Sequence, residues 1–170
     1  MAAATRVRWF WLSLGIVVAD RATKLAIEQH TPEGFHRTII PRVIYLVHSH
    51  NPGIAFGIFA EAESKWLRAL LIATSIVVIG ILSWLLATGR AGGLRSRVGL
   101  ALILGGAAGN LIDRLLRGSV TDFFEVWLGS YHWPAFNVAD SAISIGATLV
   151  VLDLLLGRRH PTGEPRNPWT

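Results

Sequence analysis

The stretch from Ala69 to Gly89 constrains this chain more than any other: 21 consecutive residues without a charge. A helix needs roughly 20 mostly apolar residues to cross a hydrocarbon core. Trp66 and Trp84 bracket most of the stretch. The segment between them rises about 27 Å as a helix, so both rings fit the interfacial aromatic belts. Two further spans run from Val98 to Ile112 and from Phe136 to Leu156, the latter interrupted by Asp140 and Asp153. A weaker segment precedes them. Trp9 to Ala19 holds 11 uncharged residues, after which Asp20, Arg21 and Lys24 follow. Arg6, Arg8 and the Val17-Val18-Ala19 run also fit a cleavable signal peptide. Helix-compatible sequence continues through Ala26 and Ile27, however, with charges at i and i+4, which favours an uncleaved helix. The expectation is four transmembrane helices.

Composition agrees. Only 16% of residues are charged, against about a quarter in soluble domains, and 52% are hydrophobic, far too many for a disordered chain. The absence of cysteine excludes disulfides, thiolate metal sites and a cysteine nucleophile. The net charge of +5 would suggest nucleic acid in a soluble chain. Here the basic residues stand in short groups between apolar segments, so no nucleic-acid partner is expected.

Four spans put both termini on one side. Arg6, Arg8, Arg90, Arg95, Arg97, Arg158, Arg159 and Arg166 share that side with one acid, Glu164. The positive-inside rule makes it cytoplasmic. Residues 28–65 and 114–134 then form outer loops on a single unit spanning 1–157, and 158–170 is a proline-rich cytoplasmic tail expected to be disordered. In the first outer loop, Val43 to Val47 is rich in β-branched and aromatic residues and Asn51-Pro52-Gly53 signals a turn, so a short strand or small sheet is expected there.

Placed on this topology, the polar residues converge. Asp20 and Lys24 end the first helix, Asn51 lies in the outer loop, and Asn110, Asp113 and Arg114 end the third helix. Asp122 follows, and Asn137 and Asp140 open the fourth. Ionisable residues at membrane depth mark function by default. Asp122 and Asp140 can reach one pocket, where two carboxyls share a proton. Such a pair activates water with one member and protonates a carbonyl oxygen with the other. This chemistry needs neither metal nor cofactor.

Several of these residues also have plain structural readings. Asp20 and Lys24 form a favourable i, i+4 pair. Asp113 and Arg114 can anchor the third helix as an interfacial ion pair, Asn137 can cap the fourth, and Asp153 reads as structural. Gly105 and Gly109 suit close helix packing within the bundle. His48 and His50 alternate on the expected strand, where a solvated face is favoured over a metal pair. The non-enzyme alternative is a polytopic scaffold or small transporter, which would want polar residues deeper in the spans.

The sequence closely resembles the lipoprotein signal peptidase (signal peptidase II) family. The resemblance rests on Asp20-Arg21-Ala22-Thr23-Lys24, Asn51-Pro52-Gly53-Ile54-Ala55-Phe56-Gly57, Gly105 to Arg114, Val120-Thr121-Asp122-Phe123 and Phe136-Asn137-Val138-Ala139-Asp140. Ile54 stands where the family more often has alanine, and Thr121 where it often has valine. The resemblance implies a bacterial inner-membrane aspartic endopeptidase with an active site at the periplasmic face. It would remove signal peptides from prolipoproteins, cutting before a diacylglyceryl-modified cysteine. It implies an all-α polytopic fold of four transmembrane helices with a small periplasmic β-structured cradle. It implies Asp122 and Asp140 as the catalytic pair. Asn51, Gly53, Asn110, Arg114, Asn137 and Ala139 would be supporting pocket residues, with Asp20 and Lys24 supporting the site's architecture. Membrane lipid and globomycin-type inhibitors are the other implied partners.

Overall fold

The computed structural model describes residues 3–53 and 65–156. The described residues form four helices and four strands in the order α1 (Ala3–His30), β1 (His36–Ile40), β2 (Ile44–Asn51), α2 (Lys65–Thr88), α3 (Leu94–Leu116), β3 (Val120–Leu128), β4 (Tyr131–Phe136) and α4 (Val138–Leu156). The tail 158–170 and Ile54 to Gly57 of the second motif lie outside the described residues.

Among the described residues three helices are long and apolar enough to cross a membrane: α2, α3 and α4. α1 is the longest at 28 residues, about 42 Å at 1.5 Å per residue, yet it falls short on hydropathy. The reason is visible in its packing. Asp20 and Lys24, which depress its hydropathy, are 0% exposed, while Trp11 and Val18 of the same helix point outward at 66% and 58%. A hydropathy window scores a side chain without knowing which way it faces.

The molecule is inside-out relative to a soluble domain. Asp113, Thr121, Asp122 and Asn137 are buried, whereas Trp66, Leu70, Ile76, Val77, Ile81 and Trp84 of α2 are exposed. Such an apolar exterior around a polar interior suits a bilayer solvent. Trp66 and Trp84 both project outward from α2, as the interfacial reading expects.

α3 is the central helix and packs against the other three. Its glycines make this possible. A Cβ on Gly105 would sit 2.6 Å from the Ser13 carbonyl oxygen of α1, and one on Gly106 would collide with the Ala139 carbonyl of α4. The Gly-x-x-x-Gly segment therefore packs within the bundle, as expected. The Ser13 hydroxyl donates to the Ala101 carbonyl at 2.8 Å, a further α1–α3 tie. At the opposite end from Asn110, the Ser96 hydroxyl donates to Asp153 at 2.5 Å and the Gly93 amide at 3.2 Å. Asp153 is structural: a carboxylate at the N-terminus of α3, where negative charge is favoured.

The β structure is larger than the sequence reading allowed. The strands form one antiparallel sheet in the order β1-β2-β3-β4. Residues 114–134 were expected to be a loop, yet they supply β3 and most of β4. The fold is therefore helix-rich with a four-stranded sheet rather than all-α. Val120-Thr121-Asp122-Phe123-Phe124-Glu125-Val126-Trp127 is rich in β-formers, broken only by Asp122 and Glu125, and Gly129, at φ +65°, turns the hairpin. Phe136, placed in the fourth span from sequence, ends β4 instead; Pro134 is tolerated on that strand because it lies at the sheet edge. Ser49 pairs with Asp122 across β2 and β3, so the sheet carries one of the two candidate aspartates.

Candidate active site

Lys24 organises the site. Its ammonium has three donors and no acceptor capacity. It finds three acceptors: Asp20 Oδ2 at 2.7 Å, Asp113 Oδ2 at 2.7 Å and Asn110 Oδ1 at 3.0 Å. The expected Asp20–Lys24 pair is present. Asp113 does not pair with Arg114, as the sequence suggested, but reaches across to Lys24 and Arg21 of α1. Neighbours in sequence on a helix point in different directions, so the two groups cannot share a partner face.

Because Lys24 only donates, Asn110 must turn its oxygen toward it. The Asn110 amino group then faces Asp140 and donates to Oδ1 at 2.8 Å. The same logic fixes two more amides. The Asn137 oxygen accepts the Asp140 backbone N–H at 2.9 Å, which leaves its amino group to donate to Asp122 Oδ1 at 2.7 Å. The Asn51 oxygen accepts the Gly53 N–H at 2.9 Å, which turns its amino group onto Asp122 Oδ2 at 3.1 Å. Gly53 adopts φ +109°, a conformation that other residues rarely reach. Three asparagines are thus each locked by a donor on one side and present N–H to an aspartate on the other.

Asn137 caps α4 and Asp140 is the third residue of the helix. The Asp140 carboxylate accepts the Asn137 N–H at 3.3 Å, which completes a reciprocal capping box. The N-terminus of α4 is also held from α1, since Asp20 Oδ1 accepts the Ala139 N–H at 3.0 Å. Ala139 is fully buried, and only a small side chain fits where it approaches Gly106 and Gly109. Asn137 thus caps α4 and also donates to Asp122.

Burial and the nearby Asp140 push the Asp122 carboxyl up to about 7, against the pull of the Asn51 and Asn137 amides and of Lys24. Asp140, half-buried, borders two clefts. One, about 330 Å³, lies between α2, α3 and α4 and is lined by Leu71, Thr74, Asn110 and Arg114. The other, about 400 Å³, lies between β4 and α4 and is lined by Trp133, Phe136, Ser141 and Ser144. The Arg114 guanidinium acts electrostatically on both Asp140 and Asp122. All ten residues singled out from sequence therefore fall at one end of the bundle, in or directly behind a single polar site.

His48 and His50 do not form a solvated face. His48 is buried and its Nδ1 lies 3.0 Å from the Thr31 carbonyl. Among the described residues no group of three metal-ligating side chains converges. Two residues of the site's surroundings were missed from sequence: Thr121, fully buried beside Asp122, and Glu28, which accepts its hydroxyl at 2.7 Å. The signal was the spacing of Asp20, Lys24 and Glu28 at i, i+4 and i+8, which continues one polar stripe along α1.

Comparison with known proteins gives a consistent result. Residues 12–156 match the family described as Signal peptidase (SPase) II. The lipoprotein signal peptidase of Tolumonas auensis is 45% identical over 150 residues, covering 88% of this chain and 90% of that one. The lipoprotein signal peptidase of Solibacter usitatus is 38% identical over 156 residues, covering 91% and 95%. A solved structure described as a bacterial membrane enzyme superposes with a TM-score of 0.81 at 28% identity, covering 94% of each chain. With five-sixths of its length matched to one family and relatives well above 30% identity, the chain belongs to the signal peptidase II family.

Proposed function

We propose that this protein removes signal peptides from prolipoproteins by aspartic-protease chemistry, with Asp122 and Asp140 as the catalytic pair. The observation that carries the reading is the pair itself: two carboxyls at one end of the bundle, bridged by Asn137, with their oxygens fixed by three oriented amides. Asp122, pushed up to about 7, holds the shared proton. Asp140 stands at the positive end of α4, where negative charge is favoured. Asp140 takes a proton from the attacking water, and Asp122 gives its proton to the scissile carbonyl oxygen. As the tetrahedral diol collapses and the C–N bond breaks, Asp140 gives its proton to the departing amine and Asp122 recovers one from a diol hydroxyl. Arg114 tempers the negative charge of the pair.

The substrate would be cut before a diacylglyceryl-modified cysteine. Both clefts beside Asp140 have mostly apolar walls that continue into the exposed apolar flanks of α2 and α4. A signal helix and acyl chains can stay in lipid while the scissile segment enters the polar site. In this reading α1 is the fourth transmembrane helix, with Asp20 and Lys24 sealed inside. The protein sits in the bacterial inner membrane with both termini cytoplasmic and the site at the periplasmic face. Residues 1–157 form one unit, and globomycin-type inhibitors would compete for the clefts. A transporter reading gains no support, because Asp153 lies at the far end of the bundle and is spent on the N-terminus of α3.

The test is cleavage of a prolipoprotein, with and without diacylglyceryl on its cysteine, by the full chain in detergent or liposomes. Wild type should cut only the lipidated form, and Asp140→Asn should abolish cutting while remaining folded. Full activity in Asp140→Asn would refute the pair. Cleavage of both forms would refute the lipid requirement.

A further inference from the structure

The polar stripe on α1 has three members, and each reaches a different element of the site. Asp20 accepts the Ala139 N–H at the start of α4. Lys24 holds Asn110 and Asp113 of α3. Glu28, one turn further along, holds the connection between α3 and β3. Its Oε1 accepts the Thr121 hydroxyl at 2.7 Å and also pairs with the Arg117 guanidinium. Arg117 is the C-cap of α3, and its own N–H returns to the Asp113 carbonyl at 2.8 Å. One carboxylate thus gathers both ends of the turn that leads from α3 into β3.

Thr121 is the residue before Asp122 and is fully buried. Successive side chains on a strand face opposite ways, so Thr121 is directed toward α1 while Asp122 is directed into the site. Its carbonyl oxygen also accepts the Asn137 amino group at 3.4 Å. Movement of Thr121 must therefore carry Asp122 with it. Glu28 touches neither aspartate, and any influence it has on the reaction must pass through Thr121.

We propose that Glu28 and Thr121 form a positioning latch that fixes the start of β3, and with it the Asp122 carboxyl, relative to Asp140. In this arrangement α1 is a ruler: three side chains on one face set the positions of α4, α3 and β3 around the reacting bond. The hydroxyl–carboxylate bond is the part of the ruler that sets Asp122. The Glu28 charge is secondary, because a neutral amide oxygen can accept the same hydrogen bond.

The inference rests on Asp122 being catalytic, so Asp122→Asn is assayed beside the latch variants, using the full chain and a lipidated prolipoprotein. Thr121→Val keeps the shape and removes the hydroxyl; Glu28→Leu removes the acceptor. Each should lower kcat about 10-fold through misplacement of a reacting group, with KM unchanged because neither residue meets substrate. Thr121→Ser and Glu28→Gln, which keep the bond, should retain wild-type kcat. The Thr121→Val/Glu28→Leu double variant should be no slower than the slower single one, since both break the same link. Wild-type kcat in Thr121→Val and Glu28→Leu, with Asp122→Asn inactive, overturns the latch but leaves the catalytic pair standing. Losses that multiply in the double variant, or that Thr121→Ser and Glu28→Gln share, overturn it equally. Activity in Asp122→Asn would instead defeat the reading on which the latch rests.

Discussion

Replacing Asp122 with asparagine should change the protein's stability in opposite directions at the two ends of the pH range. The Asp122 carboxyl ionises at about 7 in the folded protein against 3.8 for an ordinary aspartate. The unfolded chain therefore releases this proton first. Between those two values the native state loses folding free energy at 1.36 kcal/mol per pH unit, or ~4 kcal/mol in all. Below about pH 4 both states are protonated and nothing is lost; above about pH 7 the loss is complete. Asparagine cannot ionise, so it escapes this loss. It brings a different cost. Both Asp122 oxygens accept an amide N–H, from Asn137 and from Asn51, and an asparagine must turn its own NH2 toward one of those donors. One buried hydrogen bond is lost, which costs about 1–3 kcal/mol.

The difference between variant and wild type is then negative near pH 4 and positive near pH 8. At 2–4 °C per kcal/mol for a chain of this size, the difference in Tm should move by roughly 8–16 °C across the range. Thermal unfolding of both proteins in the same detergent, at several pH values, measures it directly. Every other titrating group is common to the two proteins and cancels unless it couples to Asp122. A Tm difference that stays constant from pH 4 to pH 8 would refute the reasoning, since it would mean that burial does not raise the Asp122 carboxyl.

The same carboxyl should shape catalysis: kcat/KM for a lipidated prolipoprotein should fall as pH rises through about 7, where Asp122 loses the proton it must donate, and an alkaline limb absent from a full pH–rate profile would exclude Asp122 as the acid. Lys24→Met should destabilise the fold by about 3–5 kcal/mol by leaving Asp20 buried without its cation and Asp113 with Arg21 alone, read as a fall in detergent Tm, and should abolish cleavage by releasing Asn110. Gly106→Val should separate α3 from α4, because a Cβ there meets the Ala139 carbonyl; the expected result is a lower Tm together with lost activity. Asp153→Asn, at the other end of the bundle, should leave kcat and KM unchanged, and a loss of activity would reopen the question of a polar path through the spans.

The sequence made some of this legible and hid the rest for identifiable reasons. Three spans were readable because α2, α3 and α4 each hold a long, mostly apolar run, which is a property of composition alone. α1 was harder, because burying Asp20 and Lys24 is a property of packing and no hydropathy window contains it. The aspartate pair was readable from topology, since both residues flank one outer connection. The roles of the asparagines were not. Each amide has an oxygen and a nitrogen of nearly the same shape, and only the donor behind it decides which end meets the aspartate. That donor comes from a distant helix for Asn110 (Lys24), from a glycine two residues on for Asn51, and from the helix backbone for Asn137. β3 escaped notice for a different reason. Topology alone makes 114–134 an outer connection, and Asp122 and Glu125 interrupt its run of β-formers. Glu28 gave no signal alone, and Thr121 stood out only as a replacement for the family's frequent valine. Their meaning appears only once α1 is seen to carry Asp20, Lys24 and Glu28 along one face and to offer them to three different elements. The polar residues least suited to a membrane helix are the ones that set the geometry of the site. That is why the segment with the weakest claim to span the bilayer holds the others in place.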